Sequence, residues 1–475
     1  MKKEIIVNHT PEEIRVAVME DGRLVEYLIE RPALGMAKLV GNIYKGRIEN
    51  VLPGISSAFV NVGYEKNAYL YVTDVVSDAK ERHIEKMLQR GDPIMVQVAK
   101  EAIGTKGMKV TMDISLPGRY LIYMPKSEHL GVSKNIEDAA ERDRLRRAIE
   151  KTNPIGGVIV RTEAEGAEER ELAHEMRYLM RLWENIQKKY ESTAPGALIH
   201  RELGLTFQVA RDLLTDNAHI FLVDSQEEFK DLRGFVEMLA PELADRVQHY
   251  TGRTPIFQAF GVEKELSQLR HQRINLPSGG YIIIQEAESL CAIDVNTGKF
   301  IGHKSQEETV TATNLEAAAE VARQLRLRNI GGIIVIDFID MRRRRNQHKV
   351  VEALQHATRN DRAKIKILPI TRLGLVEMTR ERRRESLLSL MTEPCRECDG
   401  SGRVLSRESL YLKIQSEIED LTKGRTDGTL KVSVPPVVGD FLRERQERLE
   451  KNLQRSIEVQ IDPTLPWEDY RILIE

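Results

Sequence analysis

The first hundred residues are dominated by short runs in which apolar and polar residues alternate. Glu4–Asn8 reads as a short apolar strand, and Ile14–Met19 and Arg23–Ile29 flank Glu20-Asp21-Gly22, a hairpin signal. Short strands continue between Gly41 and Asp74, punctuated by Gly46, Pro53-Gly54 and Gly63. Pro93–Glu101 and Lys109–Ser115 add two more around Gly104-Thr105-Lys106-Gly107. Past residue 115 the period lengthens to that of helices, with Ile136–Lys151 and Ala167–Glu191 alternating with strands such as Gly156–Arg161. Further on, the pattern predicts strands Tyr281–Ile284 and Ser289–Val295, a long amphipathic helix Thr311–Arg328 and an apolar strand Ile333–Ile339. A helix Arg345–Arg359 and a strand Lys364–Ile370 complete a layered α/β region. Beyond Cys395 and Cys398 the chain predicts a helix Arg407–Lys423, a strand Thr429–Val434 stopped by Pro435-Pro436, and a helix Asp440–Leu453.

Composition narrows the class. With 475 residues, 41% hydrophobic and 30% charged, the chain has material for several packed domains and is no disordered tail. Lys+Arg number 71 against 73 Asp+Glu, a formal charge of −2, so any polyanion must be held by a local patch. No apolar run is long enough to span a bilayer, and the first residues lack the apolar core of a signal peptide. Three cysteines make no disulfide framework. The expectation is a soluble, cytoplasmic, multidomain protein.

Four groups of residues can carry chemistry. In the β-rich segment, alternation puts Ala58, Val60 and Val62 on one face and Phe59 beside Asn61 on the other, with Tyr69 and Tyr71 opposite Leu70. Aromatics on the polar face of a small barrel, with Lys45, Arg47, Lys100 and Lys106 near in sequence, suit base stacking and phosphate neutralisation on a single strand. Packing against another domain would use the same residues.

The second group is acidic. Asp294 and Asn296 share a face at the end of one strand, and Asp337 lies at the end of the next apolar one. Carboxylates at adjacent strand ends hold Mg²⁺ well; caps of turns or of the following helices are the plain alternative. The third is Cys395-Arg-Glu-Cys398, followed by Asp399-Gly400-Ser401-Gly402. Two thiolates supply half of a zinc tetrahedron, so zinc requires a second chain; a redox pair is the rival, disfavoured by the lack of a thioredoxin-like pattern nearby. The fourth is Arg161-Thr162 at a strand end, either a phosphate fork or an ordinary surface pair. The runs Arg342–Arg345 and Arg380–Arg384 read as solvated helix faces able to guide a polyanion, and His303 as a loop residue. No Walker loop, dinucleotide fingerprint or nucleophile elbow is present.

Taken together, Asn42-Ile-Tyr-Lys-Gly46, Ala292-Ile-Asp-Val-Asn-Thr297, Ala322-Arg-Gln-Leu-Arg-Leu-Arg328, Gly331-Gly-Ile-Ile-Val-Ile-Asp-Phe-Ile-Asp-Met341 and the Cys395–Gly402 segment resemble the ribonuclease E/G family. The resemblance implies a Mg²⁺-dependent endoribonuclease cutting single-stranded, AU-rich RNA, stimulated by a 5′-monophosphate end and acting in rRNA processing and mRNA decay. It implies α/β and α+β multidomain architecture: an OB-fold β-barrel RNA-binding domain (38–112) inserted in a ribonuclease H-like domain (1–37 and 206–269) and a 5′-sensor region (113–205). A DNase I-like catalytic domain (270–391), a zinc-link (392–405) and a small α/β C-terminal domain (406–475) follow. By the same resemblance, Asp294 and Asp337 bind Mg²⁺ with Asn296 as auxiliary, and Cys395 and Cys398 share Zn²⁺ across a homodimer. Phe59, Tyr69 and Lys106 contact RNA, and Gly118, Ile122, Arg161 and Thr162 form the 5′-phosphate pocket. Lys364 stands where the family has an arginine near that pocket, Tyr69 where it has Phe, and Arg396 where Pro is usual. No DNA substrate and no membrane segment are expected. The rival readings are a non-catalytic RNA-binding or ribosome-assembly protein and a DNA-directed metal nuclease.

Overall fold

The computed structural model describes all residues except 1, 33–38, 77–82, 102–106, 216, 299–304, 383, 399, 424–428 and 475. The chain divides into two units, Met1–Leu388 and Ser389–Glu475.

The first unit begins with the predicted meander. Strands Lys3–His9, Ile14–Glu20 and Arg23–Glu30 pair antiparallel, and Asp21 (φ 49°) with Gly22 (φ 77°) supplies the two positive-φ positions that a tight hairpin needs. The sheet is completed from far along the chain, by Ala218–Val223 parallel to Lys3–His9 and by Val247–His249 outside it. Both faces are covered: Ile5, Val7 and Val16 pack with Val209, Leu213 and Leu232, while Ile6, Ala17 and Leu24 pack with Phe257 and Leu266. The continuous run Ile5-Ile6-Val7 follows from that double burial.

Next comes a closed five-stranded barrel. Ile43–Leu52 pairs with Ser57–Asn61, which leads through Ala68–Tyr71, Lys109–Thr111 and Pro93–Lys100 back to Ile43–Leu52. Gly46 is required where the barrel narrows, because a Cβ there would lie 2.4 Å from Cγ1 of Val60. Ala197–His200 adds an outer strand. A four-stranded sheet follows, in the order Leu130–Val132, Gly157–Val160, Leu121–Met124, Leu116–Pro117. It packs on helices Ala139–Lys151 and Glu169–Ser192 through Leu121, Tyr123, Val158, Leu145, Leu172 and Met176.

The last sheet of this unit runs Arg273–Asn275, Tyr281–Glu286, Leu290–Asn296, Gly332–Asp337, Leu375–Arg380, Ile365–Ile367. Its one parallel pair, Leu290–Asn296 with Gly332–Asp337, is joined through helix Gln306–Leu327, which packs with Arg344–Ala357 against one face. The other face is open, and Ile333 is half exposed there (52%).

The second unit holds helix Arg407–Thr422 and a three-stranded sheet, with Leu430–Val434 between Ile457–Ile461 (parallel) and Arg471–Ile474 (antiparallel).

Three departures from the sequence pattern have physical causes. The long helix starts at Gln306, not Thr311, because the Ser305 side chain accepts from Glu308 N and supports a polar first turn. The expected helix Asp440–Leu453 is two helices, Pro436–Arg443 and Gln446–Leu453: the prolines that stop the strand also start a helix, Pro436 occupying its first position. Leu375–Arg380 is a strand, so Arg380 belongs to no helix face. Its guanidinium is buried against the Asp361 carboxylate at 2.7 Å.

Candidate active site

The parallel pair sets the acidic site. Its register places Asp294 opposite Asp337, and neighbouring strands lie about 4.8 Å apart, so both carboxylates rise from the open face at the C-terminal end of the pair. Both are exposed, while Ile293, Val295 and Ile336 between them point into the core. Asn296 Nδ2 donates to Asp294 Oδ2 at 2.7 Å, fixing that carboxylate's orientation. Partial burial, then repulsion from Asp294 and Asp340, pushes the Asp337 carboxyl above its ordinary range. Neither Asp294 nor Asp337 has an ion-pair partner among the described residues. Two adjacent carboxylates could hold a hard cation through one oxygen each, water completing its shell. Asp294, Asn296 and Asp337 are thus brought together.

Two residues that pattern reading missed hold the loop after Asp337. Asn314, fully buried inside the connecting helix, donates to Ile339 O (2.8 Å) and accepts from Ile339 N (3.1 Å). Glu307, in the first turn of that helix, accepts from the backbone N–H of Arg342 and Arg343 and from Asn346 Nδ2. It therefore caps helix Arg344–Ala357, whose own first residues are arginines. An asparagine in mid-helix is a poor helix former, and that was the available signal. The exposed run Arg342–Arg345 consequently straddles a helix start beside the acidic site; it is not a helix face.

The arginines of Ala322–Arg328 have a different use. Arg323 donates to Leu24 O and to Glu320 and Glu265, Arg326 to Glu20 and Glu26, and Arg328 to Leu269 O and His271 O. Arg323 and Arg326 fasten the far end of the connecting helix to the first sheet, and Arg328 ties it to the turn that leads into the last one. Burial would raise the Glu26 carboxyl, but Arg362 and Arg326 hold it down to about 2.

On the barrel, alternation is as expected: Ala58, Val60 and Val62 are buried, and Phe59 and Tyr69 are half-buried on the outer face with Tyr71 exposed. Phe59 pairs across the strands with Tyr69, ring centroids 6.2 Å apart, and Tyr69 stacks with Tyr71 at 6.4 Å. The three rings are contiguous on this outer face, and Tyr71 is the most exposed of them. Lys45 does not join it. Its ammonium donates to Tyr190 O at 2.9 Å and lies 4.6 Å from the Tyr190 ring centroid, fastening the barrel to helix Glu169–Ser192. Arg47 and Lys100 are exposed, whereas Lys106 and His303 lie outside the described residues.

Arg161, at the end of strand Gly157–Val160, has its Nη1 donating to Gly118 O (2.6 Å) and to Asp212 Oδ1 (2.8 Å), with Glu163 Oε2 3.3 Å from Nε. Thr162 Oγ1 bonds Ser133 Oγ at 2.8 Å. Gly118 cannot carry a side chain: a Cβ would lie 2.6 Å from the Glu175 carboxylate, which passes over it to accept from the backbone N–H of Arg119, Tyr120 and Leu121. Burial would raise the Asp212 carboxyl, but Arg211 and Arg161 hold it down to about 2. Ile122 is half-buried, paired with Pro117 and Ile159. Arg161 and Gly118 are therefore in contact, whereas Lys364 is an exposed residue at the edge of the last sheet, its carbonyl taken by Glu381 N.

In the second unit Cys395 and Cys398 are free thiols. Gly402 N donates to Cys398 Sγ at 3.3 Å, and Gly400 (φ 83°) and Gly402 (φ 69°) close the turn. That donation, first among several, lowers the Cys398 thiol from its ordinary value. The pair presents two sulfurs from one turn, half of a tetrahedral zinc site. Cys291 is buried in its strand, and burial pushes its thiol up to about 12.

The family model described as the ribonuclease E/G family matches residues 115–383, and one described as the RNase E/G thioredoxin-like domain matches 394–474. The second match corrects the reading that the Cys pair lacks a thioredoxin-like context. Even so, the pair lies in a glycine turn, away from the helix start capped by Ser406. The chain is 38% identical to ribonuclease G of Escherichia coli K12 over the whole of both chains. It is 41% identical to ribonuclease G of Haemophilus influenzae over 92% of this chain and 91% of that one. To ribonuclease E of a Nostoc species it is 40% identical over 77% of this chain and 54% of the other. By the extent of these matches, the chain belongs to the ribonuclease E/G family.

Proposed function

We propose that this chain is an endoribonuclease that hydrolyses single-stranded, AU-rich RNA with Mg²⁺, is stimulated by a 5′-monophosphate end, and acts in rRNA processing and mRNA decay in the cytoplasm. The observation that carries it is the register pairing of Asp294 with Asp337 on an open sheet face, with no ion-pair partner among the described residues. Asp294 and Asp337 would hold the ion, and Asn296 keeps the first carboxylate turned toward it. Bound there, Mg²⁺ supplies a water of lowered pKa and offsets charge on the phosphate. Water oxygen adds to phosphorus in line as the 3′-oxygen leaves, giving 3′-hydroxyl and 5′-phosphate ends.

Phe59 and Tyr69 stack unpaired bases, which disfavours duplex, and Lys106 is assigned to RNA contact by the family resemblance alone. Arg161 and Thr162, lined by Gly118 and Ile122, bind the terminal phosphate by charge-assisted hydrogen bonds. We read the first sheet as ribonuclease H-like, the barrel as the OB fold and the last sheet of the first unit as DNase I-like. Cys395 and Cys398 would bind Zn²⁺ together with the same pair of a second copy, giving a homodimer.

The test is cleavage of one short RNA, bearing either a 5′-monophosphate or a 5′-hydroxyl, with Mg²⁺ and with EDTA. Metal-dependent internal cuts, faster with the monophosphate, are expected; tight binding without cuts would support the non-catalytic alternative. For the zinc pair, sedimentation of the Cys395→Ser, Cys398→Ser double variant should show monomer, and an unchanged dimer would refute the link.

A further inference from the structure

The guanidinium of Arg161 is committed on one side and contested on the other. Nη1 makes both of its hydrogen bonds, to Gly118 O at 2.6 Å and to Asp212 Oδ1 at 2.8 Å, so the side chain's position is set from behind. The remaining edge, Nε with Nη2, is the fork that binds a phosphate through two parallel N–H···O bonds. Glu163 sits at that edge: its Oε2 is 3.3 Å from Nε, close enough for an ion pair, without making a hydrogen bond among the described residues. Glu163 is also in the same short turn, Thr162–Ala164, that carries Thr162, and its side chain is partly open to solvent (24%). The pocket charges balance unfavourably for an anion, since Arg161 and Arg211 face Asp212, Glu202 and Glu163.

We propose that Glu163 is a built-in competitor for the terminal phosphate, occupying the Nε edge of Arg161 until a 5′-phosphate displaces it, and so sets how strongly this chain discriminates between 5′ ends. This rests on the reading of Arg161 as the 5′-phosphate ligand. The mechanism is exchange of one anion for another on a fixed guanidinium: Asp212 and Gly118 hold the group still, and Glu163 gives way because its contact is the longest and the least enclosed by hydrogen bonds. A terminal phosphate dianion offers two hydrogen-bonded oxygens in place of one loose carboxylate oxygen.

The experiment compares wild type, Glu163→Gln, Arg161→Gln and the double variant on one oligoribonucleotide with a 5′-monophosphate or a 5′-hydroxyl, reading kcat and KM for each. Glu163→Gln keeps the side-chain shape and removes the charge. It should lower KM for the monophosphorylated RNA roughly fivefold, the scale of one partly exposed ion pair, and leave KM for the hydroxyl RNA and both kcat values unchanged. Arg161→Gln should equalise the two 5′ ends, and adding Glu163→Gln to it should then change nothing. If Arg161→Gln lowers the preference but Glu163→Gln leaves it unaltered or weakens it, the competitor role is overturned while the pocket stands. If Arg161→Gln leaves the preference intact, the pocket assignment itself fails, and the competitor with it. A purely structural Glu163 would shift both substrates together and lower Tm, which also overturns the proposal.

Discussion

The two polar centres of the first unit are built on opposite electrostatic plans. At Asp294 and Asp337, anionic groups stand side by side with no ion-pair partner among the described residues, and partial burial, then its acidic neighbours, push the Asp337 carboxyl up. At Arg161 a cation is already surrounded by oxygen: a carbonyl, Asp212 and Glu163. The first arrangement leaves two carboxylates to be compensated from outside, so on the proposed function it would select by charge. The second is complete without a ligand, so an incoming anion must outcompete something. On the proposed function, unmet charge would suit capture of a catalytic ion, and compensated charge graded sensing of a chain end.

The strongest way to break the contrast is to remove the surplus charge. Asp337→Asn should lower kcat by at least roughly 10³-fold, since several kcal/mol of charge stabilisation depend on the bound ion, with RNA affinity retained. Retained cleavage would end the metal reading. A smaller effect should follow from Asn314→Ala, which releases Ile339 and the loop after Asp337 without touching either carboxylate. Its Mn²⁺ affinity, read by titration of the metal-free protein, should weaken on the order of tenfold, as for lost outer-shell support; an unchanged affinity would mean the loop is held by other bonds.

The mildest effect concerns the compensated side. Asp212→Asn should cost about 1–2 kcal/mol of stability, because Arg211 keeps Glu202 and only part of the network is lost. The pH dependence has a defined sign. Asp212 and Glu26 both have folded pKa values near 2, below their ordinary values of 3.8 and 4.5. They contribute stability that is whole above about pH 4.5 and is lost as pH falls toward 2. Acid unfolding of Asp212→Asn should therefore be less steep in that window, and an identical slope would show that Asp212 is not held down.

The connecting helix shows how far pattern reading carries. Its amphipathic middle and the apolar strands beside it were legible because burial imposes a period, and the aspartates were legible because they end those strands. Its polar first turn was not, since Ser305 and Glu307 act on backbone amides that leave no periodic trace. In sequence its arginines only contribute to the family resemblance, and the partners of Arg323 and Arg326, Leu24, Glu20 and Glu26, about three hundred residues away, show these two as a fastening. Lys45 misled for the same reason: proximity to aromatics in sequence said nothing of Tyr190.

By itself, then, the sequence determined the strand and helix alternation, the faces of Phe59 and Tyr69, the strand-end carboxylates and the Cys-x-x-Cys turn, all of them set by local spacing. The tertiary structure alone decided that Asp294 and Asp337 share one register row, that Asp212 and Glu163 flank Arg161, and that Arg323 and Arg326 are held in ion pairs while Arg342–Arg345 stay exposed. These are relations between distant segments, and charge acts through space with no memory of position along the chain.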